Sequence, residues 1–110
     1  MRLLLLCLAL AGCATTFDTE EQAIRDLETK AYANRQYDNP NVQIVYKFVD
    51  DPDATCRKLG AAAYETWTIQ ACAEPAKDPC VVTLPYTLDK KLLVHEQLHC
   101  RFGNFHKEMK

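Results

Sequence analysis

Near the C-terminus His95, Glu96, His99 and His106 are the residues whose types and spacing could do chemistry. On a helix over residues 88–101, His95 and His99 stand one turn apart on one face, so both imidazoles can reach the same metal ion. Glu96 lies about a hundred degrees round from His95, beside the metal rather than on it, where a carboxylate can take a proton from water. Zinc in a catalytic site takes three protein ligands, with nitrogen at roughly 2.0–2.1 Å, and leaves the fourth position to water. His106 is the candidate third ligand. Gly103 can end the helix in a left-handed conformation, and a turn there can swing a residue three further on back under the metal. Each residue also has a plainer explanation: two surface or core histidines four apart, a surface acid, and a solvated tail histidine. Cys100 fits a disulfide that pins the helix better than a ligand, because side chains at adjacent helical positions diverge.

The flanking sequence must hold this helix. Leu92, His95, Glu96 and His99 gather on one side, and Val94, Leu98 and Phe102 follow at four-residue steps on another, giving a polar stripe beside an apolar one. Lys90 and Lys91 suit an exposed entrance, and Thr87 is the expected N-cap. Upstream, Ala23, Ile24, Leu27, Ala31 and Tyr32 recur at helical spacing, predicting an amphipathic helix from about Asp18 to Arg35 with Thr19 or Asp18 as its cap. Residues 38–41 (Asp-Asn-Pro-Asn) turn the chain. Val42 to Val49 alternates as a strand covered on one face does, with Ile44, Tyr46 and Phe48 on one side. The acids of residues 50–53 lack the spaced ligands of a calcium loop and read as a solvated turn. Cys56 to Ala63 is a short helix or a loop through Gly60. Tyr64 to Cys72 alternates again, with Trp67 expected to pack under the sheet, and Cys80 to Leu84 is expected to pair with it as a hairpin. Tyr64 and Tyr86 are candidate oxyanion donors, with aromatic packing the stronger expectation. These elements predict an α+β fold: an N-terminal helix, a small antiparallel sheet, and a C-terminal helix bearing the histidines, in one domain over residues 17–110.

The N-terminal residues are one Arg and a leucine-rich run ending Leu10-Ala11-Gly12-Cys13. This resembles a bacterial lipoprotein signal, which implies a signal peptide over residues 1–12, lipidation of Cys13, and a short tether over 13–16. The apolar run is too short to span a bilayer. Ala14 after the Cys resembles the outer-membrane class, implying a periplasm-facing membrane lipoprotein; an ordinary secretory signal is the alternative. About 98 residues then remain, enough for one modest domain. Without Arg2 the chain carries 12 basic against 15 acidic residues, a formal charge of −3. No basic block is present, so nucleic acid is not an expected partner. Cys56, Cys72, Cys80 and Cys100 are an even set for an oxidising compartment, and two disulfides would reinforce a small core. Three connectivities remain open; the Pro-rich loop between Cys72 and Cys80 favours Cys72 with Cys80 and Cys56 with Cys100. Cysteine ligation of zinc is the lesser alternative.

His95, Glu96 and His99 match the H-E-x-x-H motif, and the later Gly and His resemble the longer metzincin signature. Gly103 and His106 each fall one residue later than that signature requires. Only residues 107–110 follow His106, so neither a later Met-turn nor a glutamate ligand from a later helix is expected. The chain is similar to small bacterial or phage lipoproteins described as zinc metallopeptidases, over roughly the last 25 residues closely and at the signal generically. The resemblance implies a minimal zincin-like domain in which water at zinc attacks a peptide carbonyl with Glu96 as general base. A peptide or protein substrate, membrane attachment through the lipid, and a monomer are the implied associations. The alternative is a non-catalytic, membrane-anchored binding or exclusion lipoprotein whose zinc site is structural or vestigial.

Overall fold

The computed structural model describes residues 19–61 and 66–106. The signal segment, Cys13, the tether and Tyr64 therefore lie outside the described residues. The chain is α+β, but its sheet is mixed rather than antiparallel. Helix α1 spans residues 19–33, followed by β1 (Ile44–Val49), α2 (Pro52–Lys58), β2 (Cys72–Glu74), β3 (Cys80–Pro85) and α3 (Lys90–Phe102). The strand order is β1-β3-β2. β1 runs parallel to β3, with Ile44 opposite Cys80 and Val49 opposite Pro85. β2 runs antiparallel to β3, with Cys72 opposite Thr83. A parallel neighbour needs a long crossover, and the chain between β1 and β3 supplies one by passing through α2 and β2. Among the described residues no helix is long and apolar enough to cross a membrane.

Of the strand expected over 64–72, the described residues carry strand only at Cys72, where β2 begins. Residues 66–71 stay outside the ladder, and two of their backbone groups bond to side chains of α2 instead. Asp53 Oδ1 accepts from Ile69 N at 2.8 Å and from Arg57 Nε at 3.0 Å, while Arg57 Nη2 donates to the Trp67 carbonyl. The Ile69 amide, with Arg57 helping, holds the Asp53 carboxyl below the usual carboxylate range. Trp67 is 56% exposed rather than packed under the sheet. The expected turn at 50–53 is in part a helix start: Asp51 caps α2 by accepting from Ala54 N at 3.0 Å, with Pro52 in the first turn. Helix α3 also begins later than expected. Asp89, extended at φ −96°, ψ 133°, is its N-cap and makes no side-chain cap bond, so Thr87 is not the cap.

Helix α3 has two apolar stripes. Leu98 and Phe102, with Val94 beside them, pack on Ala31 and Leu27 of α1; the four-residue steps mark both apolar faces, but this stripe meets α1 rather than the sheet. Leu93 and Cys100 meet Cys80, Val82 and Leu84 of the sheet.

The disulfides are Cys56–Cys72 and Cys80–Cys100, which corrects the expected pairing on every cysteine. Strand parity is the reason. Residues directly opposite in an antiparallel pair share a face, so Cys72 lies with Thr83, whereas Cys80, Val82 and Leu84 point to the other side. Cys72 and Cys80 are also three positions out of register, about 10 Å along the strand. Cys72 therefore meets Cys56 from α2, and Cys80 meets Cys100 from α3. Non-reducing peptide mapping should return these two pairs. Replacing Cys80 and Cys100 together by Ser should cost about 3 kcal/mol in denaturant unfolding.

Candidate metal centre

His95 and His99 project from α3 one turn apart, and the chain beyond it brings His106 back to them. Helix α3 stops at Gly103, whose φ of +75° and ψ of −140° suit glycine. The Gly103 N–H donates to the His99 carbonyl at 2.9 Å. Three residues later the His106 ring closes on the pair. Its Nε2 lies 3.0 Å from that of His99 and 3.1 Å from that of His95, and the latter two are 3.2 Å apart.

Hydrogen bonding alone does not satisfy this triangle. Each imidazole nitrogen either donates through an N–H or accepts through a lone pair, so among three mutually touching nitrogens at least one pair is like with like. His99 fixes one member. Its Nδ1 is 2.8 Å from the Gly103 carbonyl, which can only accept, so Nδ1 carries the proton and the neutral ring presents a bare Nε2. A cation answers all three lone pairs at once. The 3.0–3.2 Å spacing leaves room for a point about 2.0–2.1 Å from all three nitrogens, the length of a zinc–imidazole bond. The three histidines thus form a group that could hold a metal ion.

Electrostatics suit the same role. Burial, then the neighbouring His99 and His106 rings and Lys91, bring His95 down to about 4. Burial, with His106 beside it and against the Gly103 carbonyl, brings His99 down to about 4. Both are therefore neutral at pH 7, the form that ligates a metal. Burial pushes Glu96 up to about 7. Glu96 is 5% exposed and makes no hydrogen bond among the described residues. It shares with the three histidines the lining of an open cleft of about 670 Å³. One wall is α3, and the other is the segment 67–73, ending in β2 at the edge of the sheet.

The structure thus brings together His95, Glu96, His99 and His106. Cys100 is tied to Cys80 rather than Cys56 and is no ligand. Tyr86 is 66% exposed, stacks on Phe48 with ring centroids 6.4 Å apart, and does not line the cleft. Three contributors escaped the sequence analysis. Phe105, 2% exposed, lies against all three imidazoles, with ring centroids 4.4 Å from His99, 4.6 Å from His106 and 5.4 Å from His95. An apolar residue next to a candidate ligand was a readable signal for it. Asn104 Oδ1 accepts from His106 N at 3.0 Å, and Gln36 Oε1 accepts from Asn104 N at 2.7 Å. Asn after Gly marks a turn, whereas nothing in the sequence points to Gln36.

Comparison of the chain with protein-family models, curated proteins and solved structures finds no match in any of the three.

A Cβ at Gly103 would lie 2.5 Å from Gln36 Oε1 and 2.8 Å from Tyr37 Cε2, on a backbone that L-residues avoid. Gly103→Ala should therefore cost about 1–3 kcal/mol in thermal unfolding. Stability should also follow pH in protein freed of metal by a chelator. His95 and His99 bind protons at about 4 when folded and 6.5 when unfolded, so the unfolded chain holds more protons in that window and stability rises from pH 4 to 6.5. Glu96, raised from 4.5 to about 7, opposes this, and above 6.5 it alone lowers stability. Melting temperatures of Glu96→Gln should rise more steeply across the window and lose the fall above it; a flat wild-type profile would contradict buried neutral imidazoles.

Proposed function

We propose that this chain is a zinc-dependent peptide hydrolase, exported and held at a membrane by lipid on Cys13. The observation that carries the enzymatic reading is the convergence of three imidazole nitrogens at 3.0–3.2 Å, with Glu96 in the same open cleft. His95, His99 and His106 would hold the ion. Zinc held there would supply Lewis acidity for activating water and polarising a peptide carbonyl.

Glu96 does the proton work. As carboxylate it takes a proton from the attacking water and delivers it to the departing amine nitrogen. Its burial raises its proton affinity toward neutrality, where a group can serve as base and then as acid in one cycle. Neutral His95 and His99 contribute lone pairs rather than charge. The Gly103 carbonyl holds the His99 ring in its tautomer, as partners of metal-bound histidines do. Along the opposite wall, the edge of β2 offers backbone to an extended peptide, which would lie across the histidines by strand addition.

A second reading is a lipid-anchored binding or exclusion protein with a structural zinc. The 5% exposure of Glu96 favours it, since a general base must meet water. A closed structural site needs four protein ligands, however, and the described residues supply three.

Metal analysis of freshly purified protein should give one zinc per chain, lost in His95→Ala and His99→Ala and bound more weakly in His106→Ala; absence of zinc from the wild type sinks the enzymatic reading. Glu96→Gln should keep the zinc and reduce cleavage of an unstructured protein substrate by at least about a hundredfold. Equal cleavage by variant and wild type would assign the activity to a contaminant.

A further inference from the structure

The turn after α1 also reaches the metal centre. Gln36 N and Tyr37 N donate to the Phe102 carbonyl at 2.9 and 3.4 Å, and Asn39 N donates to the Arg101 carbonyl at 2.9 Å. Arg101 Nε in turn pairs with Asp38 Oδ1 at 2.9 Å. These bonds take up carbonyls that the end of α3 leaves without helical partners. They seat Gln36 beside Gly103, where the absent Cβ leaves room for its side chain.

His95 and His99 are held by the helix itself. His106 lies beyond it, on a chain that must be ordered before its nitrogen can contribute. Two side-chain bonds do this in series: Gln36 Oε1 fixes the Asn104 amide, and Asn104 Oδ1 fixes the His106 amide in an Asx turn. We infer that Gln36 and Asn104 are positioning residues that set the metal affinity of the third ligand by holding the 103–106 loop closed over α3. This inference rests on the metal-centre reading above. Both side chains are exposed, so shortening them removes a bond without opening a core cavity.

Zinc affinity, measured by competition with a chromophoric chelator on the disulfide-bonded protein, should fall about tenfold in Gln36→Ala and in Asn104→Ala, as for other partners that orient metal ligands. Far-UV circular dichroism and metal-free melting should stay near wild type. Gln36→Glu and Asn104→Asp keep the accepting oxygen and should retain wild-type affinity. With cobalt as the probe, the visible bands of the alanine variants should move toward those of His106→Ala. In a His106→Ala background the alanine substitutions should have no further effect, because the ligand they position is gone.

Wild-type affinity in both alanine variants would overturn the inference while leaving the metal centre intact. An equal loss with and without His106 would also overturn it, showing a general structural role. Failure of the wild-type chain to bind zinc or cobalt at all would remove the metal centre itself, and the positioning role with it.

Discussion

Burial of Phe105 is the constraint on which the site depends. The chain leaves α3 at Gly103, and its next apolar side chain goes under the imidazoles and against Ala31, Leu98 and Phe102. Removing such a ring from water contributes about 1.5–3 kcal/mol against an ordering cost of about 1–2 kcal/mol per loop residue, so the loop's hydrogen bonds must supply the rest. Once Phe105 is anchored, its neighbour His106 meets the helix-borne histidines. The Gln36 and Asn104 bonds refine that closure, and the glycine permits the sharp departure on which it starts.

A three-stranded sheet is a small foundation for a ligand-bearing helix, and the disulfides compensate in a directional way. Cys80–Cys100 joins the middle strand to α3 at the residue after His99, through the apolar cluster of Val82 and Leu84. Cys56–Cys72 joins α2 to the edge strand on the opposite face. One staple thus fixes the helix carrying the histidines, and the other fixes the start of the strand that walls the cleft. Asp53 and Arg57 extend the second attachment by holding the backbone at Trp67 and Ile69. Both sides of the cleft are therefore secured independently of anything bound between them.

Burial acts on the acid and the bases of the site in opposite senses. It keeps His95 and His99 uncharged at neutral pH and raises the proton affinity of Glu96. All three shifts express the cost of charge in a poorly solvated place. An ion at the nitrogen triangle would reverse that balance, supplying positive charge where three lone pairs converge and drawing Glu96 toward its carboxylate form.

Local periodicity carried what was legible in the sequence. The four-residue steps of Val94, Leu98 and Phe102, and of Leu27 and Ala31, predicted two helices and the faces they bury, because a helix repeats every few residues whatever surrounds it. The spacing of His95, Glu96 and His99 fixed their relative directions for the same reason. Glycine at 103 signalled the stop, and an even set of cysteines signalled two bridges. Which cysteine meets which was decided only in three dimensions, since strand parity and register depend on the partner strand. The parallel pairing of β1 with β3 likewise depends on how a long crossover returns. Residues 66–71 alternate like a strand, yet two of their backbone groups bond to Asp53 and Arg57, side chains distant in sequence. The final placement of His106 required Phe105, Asn104 and Gln36 together, and a contact spanning sixty-eight residues between Gln36 and Asn104 leaves no periodic trace in the chain.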